Sequence, residues 1–297
     1  MTDYVVEYRT LTEYEKTVKQ GVYEFLIMPC DNETQKLKHH RLLYSMSRAP
    51  FMANNKYGFV TLHFHANKET FEYFSLNLLA QVAKNVPPMD LFSNLGAAEE
   101  KAILEDINFQ MDHQSFLHTT TLSKLKPGDF SDYLLLQTGE LLGTYLQRLN
   151  NEVHNLLRYL SGSTHTRTSA LDALLGGAGV CQDFAHIMIG ILRNQGIPAR
   201  YVSGYLNLTN NASDSQLHAW VEVYIPDVGW RGFDPTNNTQ ENDLFIKIAH
   251  GRDYLDCQPI KGVLNTEGGH KTSYEVSVRN GNDYNWFLQE QQQQQQQ

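Results

Sequence analysis

In Val60-Thr61-Leu62-His63-Phe64-His65 every second side chain is apolar, and Phe74-Ser75-Leu76-Asn77-Leu78 repeats that period of two after a short polar turn. Such alternation predicts half-buried antiparallel strands. Residues 22–29 form an aromatic and β-branched run closed by Pro29, which is expected in the same sheet. Residues 1–90 thus read as a β-rich N-terminal domain. Val86-Pro87-Pro88 interrupts the pattern, and residues 97–104 open a stretch of helix formers. Further on, Leu141, Leu142, Tyr145, Leu146, Leu149, Val153 and Leu156 follow helical spacing, and residues 169–175 predict another short helix. From Ile197 the chain turns extended again, with strands and turns alternating through Val278. The fold class is α+β, with residues 91–288 as a helical segment followed by a mixed core. Residues 289–297, ending in the run from Gln291 to Gln297, are expected to be a disordered polar tail.

Charge and cysteine content narrow the partners. The 297 residues carry 24 Lys and Arg against 33 Asp and Glu, a net charge of −9. An acidic chain without a basic tract neutralises few phosphates, so no nucleic-acid partner is expected. No run approaches the roughly 18 apolar residues of a membrane span, and the N-terminus lacks a basic flank followed by an apolar stretch. Neither a membrane partner nor export is therefore expected, and the cytoplasm is the expected compartment. Three cysteines, Cys30, Cys181 and Cys257, are too few and too far apart for a disulfide framework or a zinc knuckle.

Cys181 stands out by its surroundings. Gly176, Gly177 and Gly179 precede it, and Phe184, Ala185, Met188, Ile189 and Leu192 behind it follow the spacing of a helix with a buried face. At a helix start, unpaired backbone N–H groups and the positive dipole end favour a thiolate over the ordinary thiol pKa of about 8.5. A cysteine alone can equally open a buried helix. The base that would make it a nucleophile lies in the segment from Leu217 to Pro235, which reads as two short strands around a Pro-Asp turn. His218 and Asp234 each lie eight residues from Pro226. A three- or five-residue loop centred there puts them directly opposite on one face, with Cβ atoms about 5 Å apart, whereas a two-residue turn puts them on opposite faces. In that pairing Asp234 orients His218, whose other nitrogen serves the Cys181 thiol.

Four blocks in order carry a resemblance to a known family: residues 179–186 around Cys181, residues 196–205, residues 218–223 beginning at His218, and residues 229–236 containing Asp234. Together they resemble the bacterial transglutaminase-like family, a branch of the papain-like cysteine protease and transglutaminase superfamily. Residues 251–254 and 259–263 resemble that family's C-terminal part, and the first region resembles its N-terminal β domain. The resemblance implies a papain-like core with Cys181, His218 and Asp234 as a catalytic triad. Members of that family are cysteine proteases, amidases or transglutaminases; attack on a peptide or isopeptide amide through a thioacyl intermediate is expected, with hydrolysis of a protein or peptide substrate favoured because the sequence identifies no second, amine-binding site. Transglutaminase-type acyl transfer to an amine, or a non-catalytic binding role on the same scaffold, are the alternatives. One departure is plain: papain-type enzymes place a glutamine shortly before the nucleophile to bind the oxyanion, and this chain has Ala173-Leu174-Leu175-Gly176 there. The Cys181 N–H is one candidate donor, and the second is unassigned.

Other residues attract simpler readings. His63 and His65 share a strand face but lack a third ligand, so no metal and no cofactor are expected. His186 is expected to be structural, Cys30 and Cys257 to be packing residues, and Asp183 to complement the helix dipole. Trp220 and Glu222 share the face of His218, with Trp220 either shielding the site or filling the core. The tripeptides at Asn32, Asn207, Asn211 and Asn237 match glycosylation acceptors by chance in a chain with no export signal.

Overall fold

The computed structural model describes residues 2–67, 70–85, 90–207 and 215–281. The Val86-Pro87-Pro88 break, the tripeptide at Asn211 and the Gln-rich tail lie outside the described residues. Strands come first: β1 (Thr2–Val18), β2 (Gln20–Phe25), β3 (Gln35–Tyr44), β4 (Phe51–Asn54), β5 (Val60–Ala66) and β6 (Phe71–Lys84). The middle contains α1 (Ala97–Glu105), α2 (Ile107–Asp112), α3 (Leu142–Leu156), β7 (Arg158–Tyr159), α4 (Ala170–Gly176), β8 (Ala178–Gly179) and α5 (Cys181–Arg193). The remainder is β9 (Ala199–Leu206), β10 (Gln216–Ile225), β11 (Gly229–Asp234), β12 (Thr239–Gln240), β13 (Phe245–Gly251), β14 (Ile260–Asn265) and β15 (His270–Asn280).

The strands form three larger antiparallel sheets, ordered β15-β1-β6-β3, β14-β2-β5-β4 and β12-β11-β10-β9-β13, and a short parallel pair β7-β8. The single N-terminal sheet expected from alternation is in fact two. β2 and β5 share one, as expected, but the run at 74–78 belongs to β6 and pairs with β1 and β3. Alternation reports which face is buried but not which strand is the neighbour, so it could not separate them. Each of these sheets is completed from far along the chain, by β14 on β2 and β15 on β1. Residues 260–280 thus return to the N-terminal strands, and apolar side chains of both regions share one continuous core.

α3 buries Leu142, Tyr145, Leu146, Leu149 and Val153, the stripe read from the sequence. α4 is capped by Ser169, whose hydroxyl accepts the Asp172 N–H at 3.2 Å, and ends on Gly177 in the left-handed region at φ 63°. α5 is buried from Gln182 to Arg193, because it runs between α3, α4 and the face of the β9–β10 sheet. Gly190 permits that depth, since a Cβ there would lie 2.4 Å from the Ser123 carbonyl oxygen.

Candidate active site

Cys181 is the first residue of α5, brought to the site by the turn after β8. Asp183 holds that helix start in place: its Oδ2 accepts the Val180 N–H at 2.8 Å and the Thr164 hydroxyl at 2.6 Å. It is therefore a capping residue, and burial pushes its carboxyl pKa up against those two bonds. The cysteines differ sharply. Burial pushes the Cys30 thiol up to about 11 and the Cys257 thiol well above its ordinary range, so neither is a nucleophile at neutral pH. Cys257 packs with its sulfur 3.9 Å from the Tyr201 carbonyl.

His218 and Asp234 meet. His218 Nε2 and Asp234 Oδ2 are 2.8 Å apart, with the residues 4% and 0% exposed. The β10–β11 loop has three residues, Pro226 to Val228, between paired Ile225 and Gly229, so the expected parity holds. The expected direct opposition does not. The ladder runs from Val221↔Phe233 to Ile225↔Gly229, which centres the turn on Asp227 rather than Pro226. Asp227 takes the left-handed conformation, φ 65°, that an aspartate tolerates. His218 is consequently diagonal to Asp234 on the same face, and the carboxylate reaches across the diagonal. Opposite His218 on β9 stands Gly204, where a Cβ would come within 2.4 Å of the Trp220 ring. Trp220 is fully buried against Phe245, at 5.3 Å between ring centroids.

The electrostatics of the pair are lopsided. Burial acts to neutralise the imidazole, but the Asp234 carboxylate, by charge and hydrogen bond, and then the Cys181 thiol, by hydrogen bond and charge, raise its pKa to about 10. With Nε2 on Asp234, Nδ1 is the ring nitrogen left for the thiol. Asp234 is itself held by the Thr236 and Asn237 N–H groups at 2.9 and 3.3 Å on Oδ1, and by the Asn237 amide at 2.7 Å on Oδ2. His154 of α3 ties down the same loop, with Nδ1 at 3.0 Å from the Thr236 carbonyl. Asn237 was visible beforehand only as part of a glycosylation tripeptide. The signal for its role was the Asp-Pro-Thr-Asn order, in which an aspartate accepts N–H groups two and three residues on.

Beside Tyr201 of β9, three further tyrosines lie within electrostatic reach of Cys181 and were not singled out from the sequence. Burial raises the pKa values of Tyr159, Tyr254 and Tyr274, and the charge of Cys181 adds to each. They come from β7, from the 3-10 turn Tyr254–Asp256 and from β15, three places that no local motif connects. His186 lies apart from the thiol chemistry: it is fully buried, accepts the Tyr254 N–H at 3.2 Å, and burial lowers its pKa to about 3. Glu222, on the face of His218, is committed elsewhere. Its carboxylate receives Lys247 Nζ at 2.6 Å on both oxygens and Arg200 Nε at 2.5 Å, and these cations hold its pKa down against burial. His63 bonds Thr61 Oγ1 at 2.8 Å. A cavity of about 1090 Å3 between the N-terminal strands and the sheet around Glu222 contains none of Cys181, His218 or Asp234.

Residues 136–235, which include all three of these side chains, match the transglutaminase-like superfamily. That segment is similar to transglutaminase-like domains. An uncharacterized Mycobacterium leprae protein is 42% identical over 127 residues, which are 41% of this chain and 45% of that protein, so the match spans less than half of that relative. An uncharacterized Mycobacterium tuberculosis protein is 27% identical over 93% of this chain and 91% of its own length. A protein-glutamine gamma-glutamyltransferase of Pseudomonas aeruginosa is 32% identical over 42% of this chain and 20% of its own. Among solved structures, a candidate cysteine protease from Cytophaga hutchinsonii superposes with a TM-score of 0.73 at 22% identity, covering 95% of this chain and 91% of that one. The likeness extends beyond residues 136–235 to the β-rich N-terminal region. No helix among the described residues is long and apolar enough to cross a membrane.

Proposed function

We propose that the protein is a thiol-dependent hydrolase of peptide or isopeptide amides, with Cys181 as nucleophile, His218 as acid and base, and Asp234 as the group that orients and charges His218. The buried 2.8 Å contact between His218 and Asp234, with Cys181 at the helix start near enough to raise the pKa of the same ring, carries this reading. In the first half reaction the Cys181 sulfur attacks the amide carbonyl and the protonated imidazole gives its proton to the departing amine. The Cys181 N–H, at the first turn of α5, is a donor for the tetrahedral oxyanion. Water, deprotonated by His218, then cleaves the thioester and regenerates the thiol.

An amine in place of water would give transamidation. The partial likeness to a gamma-glutamyltransferase favours keeping that second reading. Incubation with a fluorescent amine and a glutamine-bearing protein separates them: hydrolysis alone gives cleaved product without label, and labelling that disappears in Cys181→Ala identifies acyl transfer. A binding role without catalysis is tested by iodoacetamide. Cys181 is expected to react faster at pH 7 than a free model thiol and to lose that advantage in His218→Ala; equal rates in all three would remove the enzyme reading.

A further inference from the structure

Asp234 ends β11 and pairs with Thr239 of β12, so residues 235–238 form a tight connection between two paired positions. α3 holds that connection from one side. His154 Nδ1 lies 3.0 Å from the Thr236 carbonyl and 3.2 Å from that of Pro235, Asn150 donates its amide to Asn238 Oδ1 at 3.2 Å, and Asn238 donates in turn to Asn151 Oδ1 at 3.0 Å. Asn238 takes the left-handed conformation, φ 51°, which an asparagine tolerates. Asn237, between these anchors, turns its amide onto the His218–Asp234 pair instead.

Four donors converge on the Asp234 carboxylate. Oδ1 accepts the backbone N–H groups of Thr236 and Asn237, whereas Oδ2 accepts His218 Nε2–H at 2.8 Å and the Asn237 side-chain amide at 2.7 Å. The last two share one oxygen. Asn237 Nδ2 and His218 Nε2 stand 3.5 Å apart, and with Nε2 protonated both are donors aimed at Oδ2 rather than at each other. Each bond that stabilises a charged carboxylate weakens its pull on the next proton. That pull matters here because Asp234 is the largest charge influence on His218, followed by Cys181 of α5. The other neighbours are neutral: β9 offers Gly204 opposite His218, and β13 the Phe245 ring at 6.4 Å. Glu222, farther along the same face, is occupied by Lys247 and Arg200.

Resting on the hydrolase reading above, we infer that Asn237 is a positioning residue that shares Asp234 Oδ2 with His218 and, by drawing on that oxygen's charge, keeps the imidazole able to give up its proton. The reaction needs that release. The ring hands its Nδ1 proton to the departing amine, and it must then stay neutral until it takes a proton from the water that adds to the thioester carbon and expels the Cys181 sulfur. An Asp234 with His218 alone on Oδ2 would hold the ring charged, and a charged ring takes no proton from water. Asn237 thus acts on the second half reaction through Asp234, without touching substrate.

The test is the titration of His218, read from ring 15N resonances of histidine-labelled protein in a Cys181→Ala background and assigned by their loss in His218→Gln. Asn237→Leu removes the amide donor at similar volume, while the α3 contacts and both backbone N–H groups on Oδ1 stay in place. It should move the His218 titration up by about half a pH unit or more. A residue that only fixed the loop would, once removed, loosen the pair and lower the titration or leave it unchanged; either result in a folded variant would overturn the inference. Should Asn237→Leu not fold, the Asn237 side-chain amide resonances of the Cys181→Ala chain should follow the His218 titration, and an amide blind to it would overturn the inference equally. p-Nitrophenyl acetate separates the two readings. Wild type should form and then hydrolyse acetyl-Cys181, with the hydrolysis step at pH 7 slowed roughly threefold or more in Asn237→Leu, the factor that half a pH unit sets. No acetyl-Cys181 in wild type would overturn the hydrolase reading while the His218 titration still stands.

Discussion

Asp234→Asn, made in a Cys181→Ala background, isolates the His218 proton. Without the thiol no second group shares that proton, and Asp234 is the larger of the two influences raising the ring's pKa. A rise from 6.5 to about 10 favours the charged ring by on the order of 5 kcal/mol, part of which belongs to Cys181. A raised folded-state pKa stabilises the protein fully below 6.5 and loses its effect as pH rises through the folded value, because between the two only the folded chain holds the proton. Cys181→Ala should therefore lose about 2 kcal/mol between pH 7 and pH 9 from this group. At roughly 2 °C per kcal/mol for a domain of this size, that is about 4 °C in Tm. Replacing the carboxylate with an amide leaves burial dominant, so His218 becomes neutral and this dependence vanishes. Circular dichroism melts at pH 7, 8 and 9 read the difference, and parallel Tm curves for the two proteins would refute the charge assignment.

Other outcomes follow from contacts described above. Glu222→Ala strands Lys247 and Arg200 without their buried carboxylate and should cost about 3–5 kcal/mol in urea unfolding, while the rate of Cys181 alkylation in the folded state stays unchanged. Gly190→Ala should destabilise by about 1–3 kcal/mol despite alanine's better helix propensity, because its Cβ meets the Ser123 carbonyl; a more stable variant would show that α5 can retreat. Asp183→Ala removes the acceptor of the Val180 N–H and Thr164 hydroxyl. It should cost about 1–2 kcal/mol and slow Cys181 alkylation by loosening the helix start.

Legibility differed by the range of the interaction. The helix stripe of α3, the short helix near residues 169–175 and the helix opening at Cys181 were readable because their partners lie within a few residues. The parity of His218 and Asp234 was readable too, since a hairpin is local. Its register slipped by two, because the turn is centred on Asp227, in the left-handed conformation, rather than on Pro226. The tyrosines around Cys181 and the closing of both N-terminal sheets by β14 and β15 were illegible. They depend on pairings such as Thr12 with Thr272, 260 residues apart, which leave no periodic trace.

That same separation sets a clock on assembly. A ribosome adding about 5–20 residues per second delivers β15 roughly 13–50 s after β1. Once β6 has emerged, β1 has it on one flank and still awaits β15 on the other. A nascent chain with this architecture therefore presents an adhesive ribbon for far longer than helices or hairpins need to form, which makes its yield in cells a function of translation speed and chaperone supply as much as of final stability.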